Sequence, residues 1–304
     1  MKKTEKIWFD GKLVPWEAAT IHVMTHSLHY GSAIFEGIRC YASDKGSSVF
    51  RLKSHVQRFF NSARLYGIPM PFEPDAVIDA VKETIRANKI NECYIRPIAF
   101  YGWDEVGVNP VGNSVHLAIA VWPWLPYLGE EGLKRGVTCK ISSWARIDAR
   151  SMPMMAKTAA NYANSILARL EAQSLGFHEA ILLNTSGMVT EGTGENIFLV
   201  KDGEIITPPL SAGILPGITR DSIIELGRDL GFTVKENNVS RGELVLADEL
   251  FFSGTAAEVT PIREVDKQMI GNGQRGPITE KVQSKFYDIV KGKDPKYTKW
   301  LEPI

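Results

Sequence analysis

The chain has 304 residues, of which 44% are hydrophobic and 23% charged, with 35 Lys and Arg against 35 Asp and Glu. The charge balance excludes a basic footprint for nucleic acid or an anionic membrane, and the ordinary globular mix excludes wholesale disorder. The length suggests two domains; the longest apolar stretch, Leu117 to Leu128, is broken by Pro123 and Pro126 and falls short of the roughly 20 residues of a membrane span.

Ile7-Trp8-Phe9 and Leu13-Val14 flank Asp10-Gly11, a hairpin signal that predicts two paired strands. The opening MKKTEKIWFDGK carries two lysines before Glu5 but no apolar run of the length a secretory leader needs, so none is expected. Ser54 with Gln57 three residues on is a capping-box pattern, and Val56, Phe59, Phe60 and Ala63 keep helical spacing until Gly67. Val77, Ile78, Val81 and Ile85 mark a second helix, and strands are predicted near 93–101 and 115–122. At 122–132 the composition shifts to WPWLPYLGEEG. The predicted domains are therefore a small N-terminal one over 1–122, an interdomain loop over 123–134 and a larger C-terminal one over 135–304. The second opens with a strand near 137–144 and a helix defined by Tyr162, Ile166, Leu167 and Leu170. Hairpins follow over 179–190, turning at Asn184 to Gly187, and over 195–206, turning at Asp202-Gly203. A helix from Ile218 buries Ile223, Ile224 and Leu230, Ser240 and Glu243 form a capping box, and Leu250-Phe251-Phe252 is a buried strand. Strands and helices without strict alternation predict an α+β fold.

Cys40, Cys93 and Cys139 are odd in number and widely spaced, which fits a reducing cytoplasm and neither a disulfide framework nor a zinc site. His22, His26 and His29 would share a face on one helix, but the HExxH glutamate and a fourth ligand are lacking, so no metal site is expected. Gly192-Thr193-Gly194 lacks the third glycine of a dinucleotide motif and leads into a strand pattern. Leu215-Pro216-Gly217-Ile218-Thr219 runs straight into a helix. The first N–H groups of that helix have no internal acceptor and suit a phosphate, helped by the Thr219 hydroxyl. Ser253-Gly254-Thr255-Ala256-Ala257 is a second turn rich in donors. Lys157 has apolar or small neighbours and no carboxylate close in sequence; a desolvated lysine is a competent amine nucleophile. Glu191 follows a hairpin strand and precedes two glycines. Taken singly, each feature is also what an ordinary turn or a solvent-facing lysine looks like.

Their order carries more. Lys157 with Tyr162, Glu191-Gly192-Thr193-Gly194-Glu195-Asn196, Leu215-Pro216-Gly217-Ile218-Thr219-Arg220 and Ser253-Gly254-Thr255-Ala256 resemble the class IV pyridoxal-phosphate aminotransferases. So do His29-Tyr30-Gly31, Phe35-Glu36-Gly37-Ile38-Arg39, Arg58 and Tyr94-Ile95-Arg96-Pro97, and within the family the chain is most similar to the bacterial branched-chain amino acid branch. The resemblance implies a two-domain fold type IV architecture: a small α/β N-terminal domain and a larger C-terminal domain with a barrel-like sheet that carries the cofactor lysine. It implies transamination between branched-chain L-amino acids and 2-oxoglutarate. Lys157 would bind pyridoxal 5′-phosphate covalently and move a proton between the substrate Cα and the cofactor C4′. Glu191 would pair with the ring nitrogen, Tyr162 with the ring hydroxyl oxygen, and Arg58, Gly217, Ile218, Thr219 and Thr255 with the phosphate. Thr255 and Ala256 would offer N–H groups to the α-carboxylate, with Tyr94 and Gly37 nearby. Tyr30, Phe35, Trp124 and Tyr127 would line an apolar pocket, and Arg96 would meet the distal carboxylate of glutamate or 2-oxoglutarate. The family also implies a cytoplasmic homo-oligomer, a dimer at least, with the active site near the subunit interface. Thr158-Ala159-Ala160 and the loop Gly102 to Val106 depart from the family pattern. A D-amino acid aminotransferase and an aminodeoxychorismate lyase of the same fold stand as alternatives. A non-enzymatic binding protein using the three histidines explains none of the ordered motifs.

Overall fold

The computed structural model describes residues 2–124 and 128–304, in two compact units. The first comprises Met1–Trp124, Ala156–Ala160 and Ile289–Ile304, and the second Leu125–Met155 and Asn161–Asp288. Lys157 therefore packs with the first unit, although by chain order it falls in the stretch read as the C-terminal domain.

The first unit is built on an antiparallel sheet of β1 (Lys6–Phe9), β2 (Lys12–Pro15), β3 (Ala33–Phe35), β4 (Ile38–Ser43), β5 (Gly46–Phe50), β6 (Cys93–Tyr101), β7 (Val115–Trp122) and the C-terminal strand Leu301–Pro303. Asp10 and Gly11 take left-handed φ values of 46° and 88°, the geometry a two-residue hairpin between right-twisted strands needs. β3 and β4 both pair with β6, in registers Phe35↔Ile98 and Ile38↔Ile95, and the chain between them is Glu36-Gly37. That interruption lies beside the chemistry described below. A short helix, α1 (His26–Tyr30), precedes β3, and α2 (Leu52–Leu65) and α3 (Pro74–Ala87) pack on the sheet. α3 buries Val77, Val81 and Ile85, the spacing read from the sequence. α2 corrects one expectation. Its N-cap is Arg51, and Ser54 lies inside the first turn, where its Oγ accepts from Arg51 Nε at 3.1 Å instead of capping the helix. Leu52 starts the helix three residues early because its side chain is buried in the core.

The second unit holds β8 (Val137–Ile141), β9 (Glu179–Leu183), β10 (Val189–Gly192), β11 (Asn196–Lys201), β12 (Glu204–Thr207), β13 (Val234–Glu236), β14 (Glu249–Gly254), β15 (Glu258–Val265) and β16 (Gln268–Met269). The hydrogen-bonded order β10-β9-β8-β15-β14-β11 returns to β10 through the pair Glu191↔Asn196, which closes a six-stranded barrel. The pairs β8–β9 and β8–β15 are parallel and the other ring pairs antiparallel. The helices are α4 (Gly129–Arg135), α5 (Tyr162–Ser174), α6 (Ile218–Asp229), α7 (Arg241–Val245) and α8 (Pro277–Val290), the last of which ends in the first unit. Ser240 and Glu243 form the expected capping box at α7.

α5 forms where expected but turns another face inward. Its packed residues are Ser165, Ala168 and Ala172, while Ile166, Leu167 and Leu170 are 57%, 44% and 57% exposed. Small side chains let the helix seat closely over Phe177, Ala180 and Leu182, so the larger ones face out. Leu230 caps α6 half-buried, and Leu226 fills the core position beside Ile223. The histidines do not share a face: α1 begins at His26, which hydrogen-bonds Ser32 Oγ and the Gly107 carbonyl, while His29 turns to the Val23 carbonyl. Gly192-Thr193-Gly194 enters β11, not a helix. Among the described residues no helix is long and apolar enough to cross a membrane.

Candidate active site

In the first unit, Lys157 is fixed through its backbone. Its N–H donates to Ser62 Oγ of α2 at 3.0 Å, and its carbonyl accepts from the Phe35 N–H at 3.0 Å. Thr158 continues the attachment by bridging to Ile34 and donating its hydroxyl to the Ala33 carbonyl at 2.9 Å. The side chain is buried, with Nζ 4.9 Å from the centre of the Phe35 ring. Burial first, and the Arg58 charge second, lower its pKa to about 8.

Beside it lies a buried charged cluster that joins Arg58, expected at the phosphate, to Glu36 and His55, for which the sequence shows no role. Glu36 accepts from Arg58 Nε at 2.7 Å and Nη2 at 2.9 Å, and from His55 Nδ1 at 2.8 Å. Burial pushes the Glu36 carboxyl up, but Arg58 and His55 outweigh it and hold it well below the usual carboxylate range. Burial lowers the His55 ring pKa in turn, against the pull of Glu36. His55 and Arg58 sit one turn apart on the packed face of α2. That spacing is the available signal, though a histidine at such a position is usually plain core.

The aromatic residues gather around Arg96. Its guanidinium carbon stands 4.7 Å from the Phe35 ring centre, 5.4 Å from Tyr94 and 5.9 Å from Trp122. Tyr94 stacks on Trp124 at 4.5 Å between centroids. Among the described residues, Arg96 Nε is buried without a hydrogen-bond acceptor, and so is Trp124 Nε1. Gly37 is required here, since a methyl group on it would collide with the Tyr94 hydroxyl. Tyr30 packs on the His26 ring at 4.6 Å and stays 45% exposed. Tyr127 lies outside the described residues.

In the second unit the barrel closure organises the predicted groups. Glu191 of β10, Asn196 of β11 and Ser253 of β14 stand opposite one another on three adjacent strands. The Glu191 carboxylate is buried and ion-paired to Arg146 Nη2 at 2.6 Å; its other oxygen accepts from Asn196 Nδ2 at 3.0 Å and the Leu215 N–H at 3.1 Å. Glu179 and Glu195 are also buried in this unit. Burial and the neighbouring Glu179 push the Glu195 carboxyl well up, while burial raises Glu179 against the pull of Arg169. Of these three carboxylates, Glu191 is the one ion-paired to Arg146. Gly217 is the N-cap of α6, with no side-chain capping bond, and the buried Thr219 lies in the first turn. The turn between β14 and β15 carries Thr255 and Ala256, both half-buried. Tyr162 opens α5. In the second unit, a buried carboxylate of the kind that suits a cationic ring nitrogen and a glycine-capped helix start of the kind that suits a dianion match the chemistry of pyridoxal phosphate; in the first unit, the depressed Lys157 amine is of the kind that suits a carbonyl carbon.

The family model for Amino-transferase class IV matches residues 33–265. A branched-chain-amino-acid aminotransferase of Escherichia coli (strain K12) is 46% identical over 304 residues, covering 100% of this chain and 98% of the relative. The crystal structure of an Escherichia coli branched-chain amino acid aminotransferase is similar at a TM-score of 0.97 and 46% identity, over 99% of each chain. The branched-chain amino acid aminotransferase of Thermobaculum terrenum in its PLP (holo) form is similar at a TM-score of 0.94 and 36% identity, over 100% of this chain and 99% of that one.

Proposed function

The chain belongs to the class IV aminotransferases, and from that premise we propose that it transfers the amino group of leucine, isoleucine and valine to 2-oxoglutarate with pyridoxal 5′-phosphate, giving branched-chain 2-oxo acids and L-glutamate. The observation that carries the reading is the Lys157 amine. At a pKa of about 8, roughly a tenth of it is free base at pH 7, against fewer than about one in a thousand for an ordinary lysine. When bound, the cofactor supplies an electron sink for the substrate Cα–H bond. Lys157 would hold it covalently, and its amine would move a proton at the substrate Cα. Glu191 meets the ring nitrogen as an anion with Arg146 as its counter-charge. Tyr162 meets the ring hydroxyl oxygen. Arg58, the Gly217-Ile218-Thr219 helix start and Thr255 hold the phosphate.

Phe35, Gly37, Tyr94 and Trp124, with Tyr30, are assigned to the substrate's side chain, and Thr255 and Ala256 to its α-carboxylate. Arg96 over the Phe35 and Tyr94 faces supports a dual role for that pocket: ring faces take an isobutyl group, and the buried Nε that lacks an acceptor among the described residues takes a distal carboxylate. By chain order we divide the sequence into 1–122 and 135–304 around the loop 123–134, while by packing 156–160 and 289–304 go with the first unit. We assign the enzyme to the cytoplasm, consistent with three free, buried cysteines, and as a homo-oligomer whose active site lies near the subunit interface. The exposed Ile166, Leu167 and Leu170 support an oligomer. The test is a donor panel in single half-reactions. L-Leucine, L-isoleucine and L-valine should exceed D-alanine and aromatic donors by kcat/KM. Preference for D-alanine, or pyruvate release from aminodeoxychorismate, would replace this reading with one of the two alternatives.

A further inference from the structure

We propose that Asn196 is a positioning residue that ties the Glu191 carboxylate to the Leu215–Thr219 turn, so that the groups serving the two ends of the cofactor keep one fixed separation. The inference rests on the reading in which Glu191 meets the ring nitrogen and the turn takes the phosphate. Asn196 Nδ2 donates to Glu191 Oε2 at 3.0 Å and to the Leu215 carbonyl at 3.0 Å. Both partners only accept, so the orientation of the amide is forced and its two N–H groups are both committed. The Leu215 N–H closes the ring by donating to the same Glu191 oxygen at 3.1 Å. On its other side, Asn196 Oδ1 packs where a methyl group on Gly217 would stand. Gly217 has φ −68° and ψ 132°, a conformation open to any residue, so glycine is needed there for space and not for backbone freedom. One side chain thus touches the ring carboxylate, the carbonyl that precedes the helix and the N-cap of the helix. It is 5% exposed and paired directly with Glu191 in the barrel-closing register. A strand-only role would need no side-chain bonds to the turn.

The experiment compares full-length Asn196→Ala, Asn196→Asp, Gly217→Ala and the double variant Asn196→Ala/Gly217→Ala. It reads cofactor loss from each holoenzyme into a trap by the fall in visible absorbance, the affinity of each cofactor-free chain for inorganic phosphate, and the urea midpoint. Asn196→Ala should release cofactor about tenfold faster or more, the effect of one hydrogen bond to a charged group. Phosphate affinity should stay within about threefold, because phosphate alone does not need the two ends at a set distance. Asn196→Asp keeps the shape but sets an acceptor against two acceptors, and should release at least as fast as Asn196→Ala. Gly217→Ala should also release fast and add little on the Asn196→Ala background, where the collision is gone. Wild-type release from Asn196→Ala, or a parallel fall in release time, phosphate affinity and urea midpoint, would overturn the proposal. The underlying reading is tested separately. If Glu191→Gln leaves the ¹⁵N signal of the bound cofactor ring unmoved, that reading fails; if the signal moves while Asn196→Ala releases at the wild-type rate, only the present inference fails.

Discussion

Changing Glu36 to glutamine keeps its volume and removes its charge, leaving Arg58 buried beside Lys157 without its bidentate anion. Removing one partner of a buried ion pair costs about 3–5 kcal/mol, because the other charge stays desolvated. Glutamine can still accept one bond from Arg58 or His55, so the lower end, about 3 kcal/mol at pH 7, is expected. The sign of the pH dependence follows from the depressed Glu36 carboxyl. A carboxyl whose folded pKa lies below its unfolded value stabilises the protein above the unfolded pKa, and the contribution is lost as pH falls through the folded one. The gap between wild type and Glu36→Gln should therefore not shrink from neutral pH to about pH 5, where the loss of Glu36's support for His55 adds to it, and should narrow below about pH 4. Urea unfolding curves of both proteins across this range measure it. A gap under about 1 kcal/mol at pH 7, the size of an exposed pair, would refute the electrostatic account, and so would a gap that does not narrow in acid.

Lys157 in the cofactor-free chain should react with an amine-selective reagent with a midpoint near pH 8, set by burial and Arg58. Glu36→Gln should move that midpoint down, since Glu36 opposes the shift, and a midpoint above about 10, the ordinary lysine value, would remove burial as its control. Arg96→Met should lower kcat/KM for glutamate about ten- to a hundredfold in its own half-reaction and leave leucine nearly unchanged; equal losses would make Arg96 a structural brace. Gly37→Ala forces a methyl group onto the Tyr94 hydroxyl and should cost about 1–3 kcal/mol of stability with a raised KM for every donor, so wild-type KM values would refute the assigned contact.

Local chemistry wrote much of this protein into its sequence. The Asp10-Gly11 and Asp202-Gly203 hairpins, the Ser240–Glu243 capping box and the 3.6-residue spacing of Val77, Val81 and Ile85 are each settled within a few residues. They were therefore readable without a partner in space. The ordered motifs around Lys157, Glu191, Gly217 and Thr255 were readable for another reason: a reacting group fixes residue identity, and identity survives in a one-dimensional string.

What the tertiary structure decided is what depends on residues far apart in sequence. Ser54 matches a cap by spacing, yet burial of Leu52 moved the helix start. The apolar residues of α5 looked like its core face, but the sheet beneath accepted only Ser165, Ala168 and Ala172. Glu36 stands in a motif but shows no role in the sequence, and its role depends on His55 and Arg58 arriving together from α2. Lys157 lies in the second half of the chain and packs in the first unit because Ser62 and Phe35 hold its backbone. Asn196 reads as an ordinary strand residue until barrel closure sets it against Glu191 and Leu215. Periodicity reports which way a side chain points relative to its neighbours in sequence. It does not report what waits there, and burial, ion pairing and a depressed pKa are all properties of what waits there.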